Sequence, residues 1–70
     1  MAYEKNSDLP KNVTNYLPDH AQSVFRKAFN SALKTYQDEA QAFKVAWAAV
    51  EKEYEKNKIG KWVKKDPENS

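Results

Sequence analysis

The sequence predicts an all-α fold, a small single domain of three helices at about residues 9–16, 18–37 and 39–56. Apolar residues recur with the period of an α-helix along most of the chain. Proline 18 and an acidic junction near residue 38 divide that pattern into separate segments. The 70 residues include no cysteine and only one histidine, so packing of the nine aromatic side chains has to stabilise the domain.

The first predicted helix is short. Leu9, Val13 and Leu17 recur every four residues and so lie on one side of it. Pro10 fits its first turn, where a missing amide hydrogen costs nothing. Pro18 ends the helix, because the residue before a proline is driven out of helical geometry.

The second predicted helix begins at Pro18, and Asp19 in its first turn complements the positive end of the helix dipole. Its apolar stripe matches the helical period over 16 residues. The stripe consists of Ala21, Val24, Phe25, Ala28, Phe29, Ala32, Leu33 and Tyr36. The opposite, solvated side is assigned to Arg26, Lys27, Asn30, Lys34 and Gln37.

The third predicted helix carries Phe43, Trp47, Val50 and Tyr54 on one face. Its stripe continues in phase with that of the second helix, so a single rod over residues 18–56 is an alternative. Such a rod would be about 58 Å long and could bury its stripe only against another chain. A break at residues 37–39 instead lets the two stripes face each other and close a monomeric core. We favour the break and a monomer.

The predicted core combines these stripes. Its members are Leu9, Val13, Leu17, Phe25, Phe29, Phe43, Trp47, Val50 and Tyr54. Beyond the third helix, Gly60 is placed to turn the chain. Residues 61–63 then form a short extended segment that pairs with residues 3–4, a minimal two-stranded pairing of the N- and C-terminal segments. Residues 64–70 are expected to form a disordered basic and polar tail.

Several classes of function find no support in the residues. The longest apolar run, residues 45–50, is far shorter than the roughly 20 residues that span a bilayer. The N-terminus lacks a signal-peptide pattern, so a cytoplasmic protein that does not span a membrane is expected. The sequence offers no catalytic residues, metal ligands, cofactor site or small-molecule substrate site. His20 is the only imidazole and is assigned a structural role near the junction of the first two helices.

Charge is distributed unevenly along the chain. Residues 1–55 carry seven basic and eight acidic side chains, whereas residues 56–70 carry five lysines and two acidic side chains. These lysines either solubilise the tail or neutralise an anionic partner such as nucleic acid. The position of Trp62 distinguishes the two interpretations. A buried Trp62 indicates a structural role, and an exposed Trp62 indicates a contact residue.

Three motifs occur in order along the chain: Asp8-Leu9-Pro10 followed by Leu17-Pro18-Asp19-His20-Ala21-Gln22, then Phe25-Arg26-Lys27-Ala28-Phe29-Asn30-Ser31-Ala32, then Lys44-Val45-Ala46-Trp47-Ala48-Ala49-Val50. In this order they resemble the ChaB family, small bacterial and viral proteins usually described as "putative cation transport regulators". The resemblance covers nearly the whole chain, from residue 7 to residue 62. Many members of the family have a longer charged linker between the second and third motifs, where this chain has only residues 37–41.

The resemblance implies two functions of different kinds. The first is a non-enzymatic regulatory or adaptor protein that docks on the cytoplasmic face of a sodium/calcium–proton antiporter, with His20, Arg26 and Lys27 as contacts. The second follows from viral relatives linked to DNA binding. Its contacts are Arg26, Lys27, Lys58, Lys61, Trp62, Lys64 and Lys65.

Overall fold

A computed structural model of the chain describes residues 2–65. In chain order it contains a 3-10 turn (Asn6–Asp8), helices α1 (Lys11–Thr14), α2 (Asp19–Tyr36) and α3 (Glu39–Glu53), and strands β1 (Tyr54–Lys56) and β2 (Trp62–Lys64). Helices α2 and α3 pack against each other and hold most of the core between them. The predicted three-helix class with a minimal two-stranded sheet is confirmed.

Helix α1 is shorter than predicted. It covers four residues instead of the expected 9–16, and Leu9 has an extended backbone with φ −66° and ψ 153°. Leu9 precedes Pro10, so the steric rule that ends this helix at Pro18 also delays its start. Leu9, Val13 and Leu17 are nevertheless all buried, because loops on both sides of α1 carry the outer two into the core.

The break between α2 and α3 lies where the sequence predicts it. Gln37 adopts a left-handed conformation with φ 54°, and its amide donates to the carbonyl of Leu33 over 2.8 Å. Asp38 then caps α3, because its carboxylate accepts from the amide of Ala40 over 3.0 Å. The chain reverses over these two residues, so the stripes of the two helices meet within one molecule.

The C-terminal hairpin corrects two predictions. Helix α3 ends at Glu53 and not near residue 56, since Tyr54 is extended with φ −128° and ψ 155°. Strand β2 pairs antiparallel with β1 and not with residues 3–4, in the register Tyr54 to Lys64, Glu55 to Val63 and Lys56 to Trp62. A short hairpin keeps the pairing local. Its first strand consists of residues 54–56, which the sequence assigned to the third helix.

The predicted disordered tail begins at residue 64, and the structure describes its first two residues. Lys64 belongs to β2, and the amide of Lys65 donates to the carbonyl of Glu53 over 2.8 Å. Residues 64 and 65 thus belong to the end of the hairpin. Residues 66–70 of that tail lie outside the described residues.

The N-terminal segment crosses one side of α2, and residues 3–6 of this segment form what we call the strap. The amide of Tyr3 donates to Asn30 Oδ1 over 2.9 Å, and Asn30 Nδ2 donates back to the carbonyl of Tyr3 over 2.7 Å. Asn6 Nδ2 donates to Ser23 Oγ over 3.1 Å. The strap half-buries Arg26 and Asn30, so their assignment to the solvated side of α2 is wrong.

The core is aromatic and continuous. Ring centroids lie 4.9 Å apart for Tyr3 and Phe29, 4.7 Å for Phe29 and Phe43, and 5.0 Å for Phe25 and Trp47. Of the predicted core, Phe43 and Trp47 are half-buried at its edge and the other seven residues are buried. Alanines 21, 32, 42 and 46 are buried between the helices and allow them to approach closely. Tyr36, the last residue of the predicted α2 stripe, is exposed.

Candidate functional site

The predicted contact residues fall into two groups. His20, Arg26 and Lys27 lie on α2, whereas Lys58, Lys61, Trp62, Lys64 and Lys65 lie on or beside the hairpin. The two groups do not offer equal access to a partner, because the strap and the core engage some of these side chains.

Arg26 is held by the strap. Its Nε donates to Asn6 Oδ1 over 2.9 Å, and Nη1 approaches the carbonyl of Glu4 at 3.4 Å. A guanidinium bound in this way ties the N-terminal segment to α2. Lys27, the next residue, is exposed.

His20 lies in the first turn of α2 and is exposed. Its nearest aromatic neighbour is Tyr54 at the start of β1, with ring centroids 6.2 Å apart. The sequence placed this histidine near the junction of the first two helices. The structure adds a contact with the hairpin, which brings His20 towards the second group of residues.

The hairpin presents its lysines unevenly. Lys58, Lys61 and Lys64 are exposed, whereas Lys65 is half-buried where its backbone bonds to the end of α3. Trp62 is half-buried, and its ring centroid lies 5.8 Å from that of Trp47. Trp62 therefore covers the edge of the core with part of its surface and faces solvent with the rest.

The loop between the strands, residues 57–61, is organised by Asn57. Its Oδ1 accepts from the amides of Ile59 and Lys61 over 3.1 and 2.8 Å, and its own amide donates to the carbonyl of Lys61 over 2.8 Å. Gly60 has φ +83°, a conformation that suits glycine. These bonds hold Ile59 outward, with 83% of its surface exposed.

Two depressions flank Tyr16, which follows α1. The first has a volume of about 400 Å³ and lies between residues 15–18 and residues 59–61. The second, of about 380 Å³, is lined by Asn12, Tyr16, Trp47, Glu51, Lys56 and Trp62. We call the surface formed by Tyr16, Ile59, Lys61 and Trp62 the hairpin surface. It joins an apolar centre to a basic border.

The described residues contain no cluster of three or more acidic, histidine or cysteine side chains that could hold a metal ion. No helix among residues 2–65 is both long and apolar enough to cross a bilayer. Burial raises the pKa of the Tyr54 phenol, and the nearby Glu53 carboxylate adds to this effect. Burial likewise raises the pKa of Tyr3, with a further contribution from Glu39. Tyr54 is a buried residue of the core, and Tyr3 packs against that core.

Sequence reasoning missed Tyr16, Ile59 and Asn57. Tyr16 lies between the helical patterns and Ile59 is an isolated apolar residue among lysines, so neither belongs to a periodic stripe. One local signal was available, because Asn57 precedes Gly60 by three residues and both residue types favour tight turns. That signal predicts an ordered turn that presents the residues between them.

Comparisons with known proteins agree along the chain. The family model named ChaB matches residues 9–65. The "Putative cation transport regulator ChaB" of Escherichia coli K12 is 47% identical over 75 residues, which cover 93% of this chain and 99% of that protein. The protein of the same name from Shigella flexneri gives the same values. Because 93% of this chain is fewer than 75 residues, these relatives contain residues without a counterpart here.

A solved structure is similar as well. The "NMR solution structure of the putative cation transport regulator ChaB" has a TM-score of 0.83 and is 46% identical to this chain. The match covers 91% of this chain and 99% of that one. Sequence and fold thus agree on one family over almost the full length of both chains.

Proposed function

The chain belongs to the ChaB family, and we propose on that basis that it is a non-enzymatic protein that regulates cation transport by docking on a partner. One observation carries the proposal. Relatives named "Putative cation transport regulator ChaB" are 47% identical to this chain and align over almost their whole length. Regulation by docking requires a surface rather than a reactive centre, and the hairpin surface supplies one.

We propose further that the partner is a sodium/calcium–proton antiporter and that the protein acts on its cytoplasmic face. His20 and Lys27 are exposed on α2, and Lys58, Lys61 and Lys64 are exposed on the hairpin. These side chains are our candidate contacts. Arg26 is assigned the different task of anchoring the strap, because both of its hydrogen bonds are internal.

Everted membrane vesicles test this proposal, since they expose the cytoplasmic face of the transporter to added protein. We expect the purified chain to change the initial rate of proton-driven calcium or sodium uptake in a saturable manner. Vesicles from cells without the antiporter provide the baseline. A charge-reversed variant, Lys58→Glu with Lys61→Glu, should require a higher concentration for the same effect.

Vesicle uptake rates that stay constant over a wide range of added protein would contradict regulation of the antiporter. Lys34→Glu with Lys44→Glu is a matched control, because it changes the net charge by the same amount and both lysines are exposed near the junction of α2 and α3. If this control weakens the effect as much as the hairpin variant, the effect reflects net charge and not docking at the hairpin.

Nucleic-acid binding is a second candidate function. Its support is the group of exposed lysines on the hairpin together with the solvent-facing part of Trp62. If it is correct, affinity for a labelled DNA duplex should fall steeply between two salt concentrations, because binding releases counterions. Absent binding, or binding that is insensitive to salt, excludes this function.

A further inference from the structure

The hairpin surface contains an apolar residue that the fold itself does not need. Ile59 is 83% exposed and is the most exposed large hydrophobic side chain among the described residues. Tyr16, across the 400 Å³ cleft, is 55% exposed. Two such side chains in the lining of one cleft form an apolar patch that is left open to solvent.

The loop that carries Ile59 is held in one conformation by hydrogen bonds. Three hydrogen bonds connect Asn57 with Ile59 and Lys61, and a fourth connects the amide of Gly60 with the carbonyl of Asn57 over 3.0 Å. A loop held in this way loses little conformational entropy when a partner binds. Ile59 and the cleft beside it are therefore preorganised.

The charge around the patch is mostly positive. Residues 54–65 contain five lysines and one acidic residue, Glu55. The cleft is lined by residues 15–18 and 59–61, and its only charged side chain is Lys61. An apolar cleft with a basic border complements an apolar side chain flanked by carboxylates.

We propose that the hairpin surface binds a short acidic peptide segment of a protein partner, whose aliphatic or aromatic side chain enters the cleft between Tyr16 and Ile59. This inference rests on the proposed docking function and names its surface and the chemistry of its partner. The carboxylates of the segment face Lys58 and Lys61. The apolar contact provides most of the affinity, and the lysines favour acidic over basic segments.

A peptide fits this surface better than nucleic acid does. Ile59, at the apex of the loop, has no flat face on which a base can stack. Trp62, the aromatic residue of the hairpin, is half-buried beside Trp47. The cleft is lined mainly by apolar atoms and offers a single cation, whereas a phosphate backbone requires a row of them.

Selection from a randomised short-peptide library displayed on phage tests the proposal on the full chain. We expect the selected sequences to share an aliphatic or aromatic residue with Asp or Glu on both sides. Fluorescence anisotropy with these peptides should show that Ile59→Ser and Tyr16→Ser each weaken binding roughly tenfold, because a buried apolar contact is lost.

The chain offers a matched control for these variants. Tyr36 is the same residue type as Tyr16 and has the same exposure, 55%, but lies at the C-terminal end of α2. Tyr36→Ser should leave peptide affinity unchanged. All three replaced side chains are exposed, so the variants should retain the helical circular dichroism of the parent chain.

Three results would overturn the proposal: a library that yields no acidic–apolar consensus, selected peptides that bind Ile59→Ser as tightly as the parent chain, or a DNA duplex that displaces the peptides. The last result would assign the surface to nucleic acid. Peptide binding without any effect in the vesicle assay would support the peptide-binding surface and contradict the transport function. Equal vesicle effects of the parent chain and Ile59→Ser would support the transport function and contradict a role of this surface in it.

Discussion

Asn30 shows how a single side chain can replace a strand. Its amide bonds to both backbone groups of Tyr3, which is the pairing that a neighbouring strand would provide. This explains why residues 3–4 do not join the sheet, since the backbone of Tyr3 is already satisfied on α2. The ring of Tyr3 packs on Phe29 and extends the core.

We expect Asn30→Ala to destabilise the fold by about 1–2 kcal/mol, because two hydrogen bonds of about 0.5–1.5 kcal/mol each are lost. Urea unfolding followed by circular dichroism measures this change. Asn12→Ala, at an exposed asparagine of α1, is the control and should change stability much less. Equal effects of the two substitutions would mean that the two bonds between Asn30 and Tyr3 contribute nothing to stability.

Tyr54 gives the stability of the fold a dependence on alkaline pH. Burial raises the phenol's pKa above its ordinary value of 10.0, so the folded chain keeps a proton that the unfolded chain loses. The stabilising contribution is constant below about pH 10 and declines as the pH rises through the folded pKa. Tyr3 contributes in the same direction.

Urea unfolding between neutral and strongly alkaline pH tests this effect. Stability should fall more steeply above pH 10 in the parent chain than in Tyr54→Phe, and the double variant with Tyr3→Phe should have the flattest profile. Identical slopes in all three proteins would show that neither phenol is coupled to folding.

At the scale of elements, the junction of α2 and α3 places Gln37 in a backbone conformation that is unfavourable for a residue with a side chain. Gln37 has a positive φ of 54°, which costs a residue with a side chain roughly 1–2 kcal/mol. Glycine adopts this conformation freely and is the usual residue at such a helix end. Here a glutamine occupies the position, and Asp38 caps α3.

Gln37→Gly should therefore stabilise the fold by about 0.5–1 kcal/mol. This value is the strain that is relieved minus the larger entropy that a glycine loses on folding. Thermal unfolding measures the change. The matched control is Gln41→Gly inside α3, which should destabilise the fold by about 1 kcal/mol. A loss of stability in both variants would contradict the left-handed conformation at residue 37.

The hairpin shows the limit of sequence prediction at this scale. Tyr54 is the last residue on the apolar stripe of α3, and the sequence therefore predicts a helix that ends near residue 56. Antiparallel pairing with Trp62–Lys64 takes these residues out of the helix. Local propensity is a weak preference, and contacts made further along the chain override it.

At the scale of the whole molecule, the break at residues 37–38 lets the chain bury its apolar stripes against each other. A rod over residues 18–56 would be about 58 Å long, whereas the folded chain has extents of 36 × 21 × 16 Å. The two apolar stripes cover each other within one chain, so the fold does not require a second copy.

We expect sedimentation equilibrium to give a mass near 8.1 kDa that does not change with protein concentration. A dimer mass would show that part of the exposed apolar surface is covered by another copy. Ile59→Ser would then identify the interface, because it should restore the monomer if the hairpin surface mediates the contact.

The sequence by itself determined the helices, their division at Pro18 and Asp38, and most of the core. These features depend on side-chain period, proline sterics and capping, all of which act within a few residues. It also pointed to the hairpin lysines as candidate contacts, because they are clustered in the chain. Only the tertiary structure decided that Asn30 binds the strap, that Tyr54 begins a strand and that Ile59 and Tyr16 line one cleft. Each of these depends on which distant segments meet, and that outcome is set by the packing of the whole chain.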